Sequence, residues 1–424
     1  MANTKKIPRI DMTENEIPQI EGHAAFYTHL KSGRIDQAKI IGLDGERFVE
    51  KILFGRKYWE APIITSRICG ICPVIHNITS SKAVESALGI EVSKQTTKLR
   101  TLMLCGQMIQ SHSLHLYLLV LPQLMGVSSS FELQANHPDL FKNAITLKNY
   151  ADSLIETIAG RAVHPVSNTV GGFKSFPSIK ELDNLILKAE SALLIAEDTL
   201  RLFADYKYPL MTSKMIYSAL SDKKYYTIYD GDIRSSDNHV FDAKDYKKYI
   251  IEELMPYNKA KYASLKGEIF MVGAMARYNL NGKYLTPKTQ TLLQDLQIEN
   301  EFKNPFYNII AQAIENFHFL DHSIELLKQL IKNIKPEEII QPKSFGEGAS
   351  ACEAPRGTLF HYYKIDKKGY IEKADIITPT VQNLSAMEND MKLINPKDFE
   401  KDELNMFIEL LIKSYDPCIT CATH

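Results

Sequence analysis

The chain has 424 residues, with 50 lysines and arginines against 51 aspartates and glutamates, a formal charge of −1 and 45% apolar residues. It is long enough to bury a large core, and its balanced charge, with no basic stripe interleaved with aromatics, excludes nucleic acid as a partner class. The stretch Met1–Gln19 carries scattered charges and no apolar run, so it does not read as a signal peptide.

In chain order, 21–42 reads as strand, alternating through Ala25-Phe26-Tyr27-Thr28-His29-Leu30 and turning at Ser32-Gly33. Periodicity predicts helices over 47–53, 73–88, 95–124, 139–162 and 178–206. The 95–124 helix is apolar nearly all round, as expected at the centre of a helical core. The charge-free run 101–131 contains Gln107, Gln110, Ser111, His112, Ser113 and His115, too polar for lipid, so no direct membrane span is expected. Residues 209–280, rich in Tyr, Lys and Asp, read as a peripheral, irregular α+β region. An amphipathic helix follows over 306–334, with Ile310, Ile314, Phe317, Ile324 and Leu327 near helical spacing. A Gly-rich loop, Phe345-Gly346-Glu347-Gly348, leads into Glu353-Ala354-Pro355-Arg356-Gly357. A hairpin is expected over 358–377 around Asp366-Lys367-Lys368-Gly369, and a last helix over 396–413. No repeats or low-complexity linkers interrupt this. The expected fold is mainly α with β decoration (α+β), a long-helix bundle core with small antiparallel sheets, in one domain over 1–424.

Four of the six cysteines form two pairs at opposite ends of the chain, Cys69-Gly70-Ile71-Cys72 and Cys418-Ile419-Thr420-Cys421. A two-residue gap lets two thiolates grip one metal. This usage fits metal binding in a reducing, cytoplasmic compartment better than a disulfide framework. On spacing alone, tetrahedral zinc is the ordinary reading, an iron–sulfur cluster the next, and nickel also suits soft thiolates. Zinc-ribbon pairs usually lie tens of residues apart, unlike these, but spacing leaves the metal open. Taken singly, Glu21 is an ordinary strand-end carboxylate, His76 a core histidine, and Arg356 and Asp416 a salt bridge.

Together the surroundings resemble the catalytic large subunit of [NiFe] hydrogenases. The motifs are Arg67-x-Cys69-Gly70-x-Cys72-x3-His76, Asp416-Pro417-Cys418-x2-Cys421-x2-His424, Glu21-Gly22-His23, Glu353-Ala354-Pro355-Arg356-Gly357, and His164-Pro165 with Gly171-Gly172-Phe173. They occur in family order over 20–424. The resemblance implies reversible cleavage of dihydrogen into protons and electrons at a Ni–Fe centre. Cys69 and Cys418 would be terminal nickel ligands; Cys72 and Cys421 would bridge nickel to an iron carrying CO and CN. Cys418 would take the first proton and Glu21 would relay it. His76 would hydrogen-bond a bridging sulfur, and Arg356, after Pro355, would stand over the open face of the metals with Asp416 as its carboxylate. Pro379 and Thr380 would cradle a cyanide. Glu50, the Ile376 carbonyl and His424 would hold a second-site divalent ion, usually Mg.

One departure stands out. Where the family often has an aspartate some eight residues past the histidine matching His115, this chain has Gln123, expected to meet Arg356 as an amide.

Ser111-His112-x2-His115 and Gly273-Ala274-x-Ala276-Arg277 look most like the cytoplasmic, cofactor-coupled (group 3-type) branch. That implies an iron–sulfur small subunit, with further subunits for NAD(P), deazaflavin or ferredoxin-type partners. It also implies a maturation protease that removes a tail after His424. Beyond the four ligands only Cys105 and Cys352 remain, too few for a cluster, so no Fe–S cluster is expected in this chain. The rivals are the quinone-site subunit of respiratory complex I, which lacks the cysteine pairs, membrane-bound energy-converting relatives, a hydrogen-sensing regulatory subunit, and a non-catalytic zinc protein on the same fold.

Overall fold

The computed structural model describes residues 13–127 and 129–424. Residues 1–12, which carry most of the stretch read for a signal peptide and the start of the expected 1–424 domain, lie outside the described residues. As expected, the fold is mainly helical with small sheets.

Helices Lys94–Leu114, Pro138–Ala159, Ile179–Asp205 and Asn308–Ile331 pack against one another as the core. Their starts are written in the sequence. The Ser93 and Ser178 side chains accept from Thr96 and Glu181 N–H groups, and Pro138 stands where a first-turn donor would go unused. The central helix touches its neighbour closely at Gly106, where a Cβ would lie 2.7 Å from Ile155 Cγ1.

The expected 95–124 helix is one continuous rod with an internal change of pitch. An α-helix to Leu114 becomes a π-helix over His115–Val120 before Leu121–Leu124. Pro122 has no N–H for the carbonyl four residues back and its ring crowds that carbonyl; a wider turn absorbs both faults. Asn308–Ile331, expected to be amphipathic, is buried on every side through Leu320, with Asn308, Gln312, Glu315 and Asn316 inside.

Strands Ala24–Lys31 and Arg34–Gly42 form the expected antiparallel hairpin, Ala24 opposite Gly42. The Gly-rich stretch read as a loop is different: from Glu347 to Ala354 it is a strand, pairing with Gly357–Ile365, which in turn pairs with Ile371–Ile377. Gly348 lets it lie on the Pro73–Leu88 helix, since a Cβ there would sit 2.3 Å from the Ala87 nitrogen. Residues 209–280 supply strands of a four-stranded and a two-stranded sheet, then turn into helix Ala274–Asn281. The last helix is a 3₁₀ turn, Pro396–Asp398, then Lys401–Ser414, begun by a Glu400/Glu403 capping box. Helix Pro379–Lys392, not anticipated, brings its first turn to the site. Among the described residues no helix is long and apolar enough to cross a membrane.

Candidate metal centre

The fold joins the two ends of the chain. Helix Pro73–Leu88 starts directly after Cys72, and Cys418 caps the short helix Ile419–Ala422. Glu21, just before the hairpin, pairs with Cys418 as an isolated parallel bridge, with Ile419 N donating to the Glu21 carbonyl at 2.9 Å. As a result the Sγ atoms of Cys69, Cys72, Cys418 and Cys421 lie within 4.8 Å of one another, all buried. They pair across the two motifs: Cys69 with Cys418 at 3.6 Å, and Cys72 with Cys421 at 3.2 Å. None is in a disulfide.

Four thiols in so dry a space cannot all ionise unaided. Hydrogen bonds, first from Cys418 and then from Cys421 and Cys72, hold the Cys69 thiol far below its ordinary range. Burial pushes Cys418 well up, while contact with Cys418 and the other thiols does the same to Cys421. The thiols thus oppose one another's ionisation. A soft cation is what would let the others ionise, so the donor set fits the nickel that the resemblance implies.

Glu21 touches the thiols directly. Its Oε2 lies 2.9 Å from Cys418 Sγ and accepts from Thr420 Oγ1 at 2.6 Å; its Oε1 is 3.7 Å from Cys69 Sγ. Burial, then the charge on Cys69, raise its pKa above the ordinary carboxylate value. A carboxyl moved toward neutrality and in contact with a ligand sulfur is placed to exchange a proton with it.

Arg356 faces Asp416 in a buried pair. Its Nε donates to the Asp416 carbonyl at 2.7 Å and its Nη2 to Oδ1 at 2.8 Å. Burial opposes the guanidinium charge, but Asp416 and the thiols hold its pKa well above the ordinary value. Arg356 Nη1 is buried and has no hydrogen-bond partner, a donor left for something bound at the site. Asp416 itself has φ 51°, a left-handed backbone that a non-glycine residue adopts at a cost.

Gln123 is not the amide at this pair. It donates to the Met406 carbonyl, because Pro122 and the preceding π turn carry it past the site. The amide that does reach is Gln312, whose Nε2 donates to Asp416 Oδ2 at 3.1 Å while its Oε1 lies 2.5 Å from His115 Nδ1. Four residues earlier Asn308 donates to the Ser414 carbonyl, and three later Glu315 meets Arg277. Polar residues at this 4-3 spacing in the buried first half of the helix were the available signal, and reading the helix as amphipathic obscured it.

Arg277 uses all five of its N–H donors: two to Glu315, one to Glu353, and one each to the Ala354 and Pro355 carbonyls that precede Arg356. It thereby locates the backbone that carries Arg356. Thr380 Oγ1 accepts from Cys418 N at 3.0 Å, leaving its own O–H free to donate, and Pro379 opens that helix. His76 Nε2 lies 3.8 Å from Cys421 Sγ.

Glu50, Ile376 and His424 also converge. Ile376 N donates to Glu50 Oε1 at 3.1 Å, and His424 Nε2 lies 3.2 Å from the Ile376 carbonyl and 3.9 Å from Glu50 Oε1. Lys261 Nζ stands 3.8 Å from the same oxygen, a neighbour the sequence did not announce.

Comparison with known proteins agrees with this geometry. The family described as nickel-dependent hydrogenase matches residues 47–135 and 166–424. The alpha subunit of sulfhydrogenase 1 from Pyrococcus furiosus is 33% identical over 421 residues, covering 98% of each chain. A vhc F420-non-reducing hydrogenase subunit of Methanococcus voltae is 30% identical, covering 96% of this chain and 94% of its own. A solved NAD+-reducing [NiFe]-hydrogenase in the H2-reduced state superposes with a TM-score of 0.87 at 25% identity, over 97% of this chain and 99% of that one. With both cysteine pairs brought to one buried point on that fold, the chain belongs to the nickel-dependent hydrogenase family, as a large, catalytic subunit that acts on dihydrogen.

Proposed function

We propose that this chain cleaves dihydrogen reversibly at a Ni–Fe pair held between Cys69 and Cys418 on the nickel side and bridged by Cys72 and Cys421, with CO and CN on the iron. When bound, that group supplies the polarisation that makes dihydrogen acidic. The protein's own residues do the rest. Cys418 takes the first proton and passes it to Glu21 across their 2.9 Å contact. Thr420 holds Glu21 in that position. Arg356 presents its unpartnered Nη1 at the site, kept charged and oriented by Asp416. Thr380, with its O–H free, and the start of the Pro379 helix offer donors to a diatomic ligand. Glu50, the Ile376 carbonyl and His424 hold a divalent ion such as Mg.

The single observation that carries the reading is the Glu21 carboxyl set against Cys418 inside a four-thiol cluster. A purely structural zinc site has no use for a proton acceptor on a ligand sulfur.

Electrons have to leave through another protein, because Cys105 and Cys352 are each buried outside the four-thiol group. We assign that role to an iron–sulfur small subunit, with further NAD(P), deazaflavin or ferredoxin-linked subunits beyond it. The short helices over 49–65, with Phe48 just before them, expose Phe48 (61%), Phe54 (62%) and Trp59 (47%) with Ile52 and Ile63, an apolar surface suited to a stable interface.

The test is metal analysis of the anaerobically purified complex with infrared spectroscopy at roughly 1900 to 2100 wavenumbers, where iron-bound CO and CN absorb. Equal nickel and iron with those bands is the expected result. Zinc with a silent spectrum sinks the proposal.

A further inference from the structure

Behind Cys421 a run of hydrogen bonds leads away from the thiols into the core, branching only at its far end, where Thr65 as well as Ser80 reaches the Tyr363 hydroxyl. His76 Nε2 is 3.8 Å from Cys421 Sγ, and His76 Nδ1 is 3.2 Å from His361 Nε2. His361 Nδ1 is 3.0 Å from the Tyr363 hydroxyl, which is 2.8 Å from Ser80 Oγ. All four residues beyond the cysteine are buried, and neither imidazole has a carboxylate among its hydrogen-bond partners. His361 belongs to none of the motifs that identified the site.

Through its two imidazoles such a run can point only two ways. The facing nitrogens of His76 and His361 share one proton, since two N–H groups cannot meet at that distance. If Cys421 keeps a thiol proton, it donates to His76, and each later group donates outward in turn to Ser80. If the sulfur has lost its proton to a metal, it can only accept. Every link then reverses: Ser80 donates to Tyr363, Tyr363 to His361 Nδ1, His361 Nε2–H to His76 Nδ1, and His76 Nε2–H to sulfur.

We infer that His361, Tyr363 and Ser80 are positioning residues that hold His76 as its Nε2–H tautomer and so keep a hydrogen bond on the bridging sulfur. A donor on a ligand sulfur withdraws electron density from the metals, and the group orienting that donor sets how firmly it does so. The inference rests on the Ni–Fe reading above. The strand Gly357–Ile365 carries both His361 and Tyr363, on the same face two residues apart, so one element supplies both outer links.

The experiment is infrared spectroscopy of the intact, metal-loaded complex with His361→Leu, His361→Gln and Tyr363→Phe. His361→Leu is expected to move the CO band to lower wavenumber, because a His76 ring with no partner at Nδ1 is no longer held toward the sulfur and its hydrogen bond there weakens. His361→Gln, whose amide still donates, is expected to restore the wild-type position. Tyr363→Phe, which removes one oxygen and frees His361 to adopt either tautomer, is expected to split the band in two. Wild-type bands in both His361→Leu and Tyr363→Phe overturn the inference. Should His361→Leu fail to load metal, Tyr363→Phe alone decides. Absence of CO and CN bands in the wild-type complex overturns the Ni–Fe reading instead, so the two failures are distinguishable.

Discussion

Arg356 meets Asp416 twice, through Nε on the backbone carbonyl at 2.7 Å and Nη2 on the carboxylate at 2.8 Å, leaving Nη1 unpartnered in a buried site. Only a planar guanidinium can make both contacts and still aim a third donor elsewhere. Arg356→Lys keeps a positive charge but cannot do all three. Turnover of dihydrogen with an artificial acceptor is expected to fall roughly 10²- to 10³-fold, the usual cost of removing one preorganised donor. Nickel and iron content are expected to stay at wild-type levels. Wild-type turnover would remove Arg356 from the proposed machinery.

Glu21 is argued to move a proton, and that role separates cleanly from metal binding. Glu21→Gln keeps the shape and can still accept from Thr420, but an amide cannot take up a proton near neutral pH. Turnover is expected to drop about 10²- to 10⁴-fold, with the infrared bands of the iron ligands still present. Glu21→Asp, shorter by one methylene, is expected to retain partial activity. Lost metal in Glu21→Gln would instead make Glu21 a structural support of Cys418.

Arg277 ties five acceptors together, two of them the carbonyls immediately before Arg356. Burial raises and Arg277 lowers the Glu315 pKa, and the arginine wins, holding that carboxyl far below its ordinary range. Arg277→Lys preserves the charge yet loses most of the fork. Denaturant unfolding is expected to show a loss of about 3 kcal/mol, as bonds to buried carboxylates go unmade. A change below about 0.5 kcal/mol would mean that the network relaxes around lysine.

Much of this was legible in the chain because it depends on local rules. The helix over 73–88 follows from Pro73 at its first position and Gly89 with φ 62° at its end. The 24–42 hairpin follows from alternation around Ser32-Gly33. The four cysteines were visible because CxxC is a local spacing, although only the fold shows that Cys69 faces Cys418 and Cys72 faces Cys421. What escaped was set by packing across long separations. Gln123 sits at the position expected to face Arg356, but a π turn carries it away, and Gln312 arrives from a helix nearly two hundred residues on. A strand through Gly348 read as a loop because its stability comes from lying on another helix, not from its own propensity.

Lys413 offers a test independent of the metals. It is 2% exposed, near the end of Lys401–Ser414, where its Nζ donates to Gln19 Oε1 at 3.3 Å and Glu409 is the nearby carboxylate. Burial lowers its pKa from 10.5 to about 8, a shift that Glu409 only partly offsets. The sign follows directly. Between pH 8 and 10.5 the unfolded chain holds this proton and the folded chain has released it, so stability rises with pH through that window. Below it the folded protein carries the full cost of a charge it would rather shed, about 3 kcal/mol for a shift of this size. Lys413→Met keeps the apolar stem and its backbone carbonyl, which lies 2.8 Å from His115 Nε2. The variant is expected to be more stable than wild type at pH 7, by about 2–3 kcal/mol after the lost Gln19 contact. That advantage is expected to shrink toward zero by about pH 10. Denaturant unfolding of both proteins across this range measures the difference directly, and other titrating groups cancel in the comparison. A variant less stable at pH 7 would show that the ammonium is held by favourable contacts rather than tolerated.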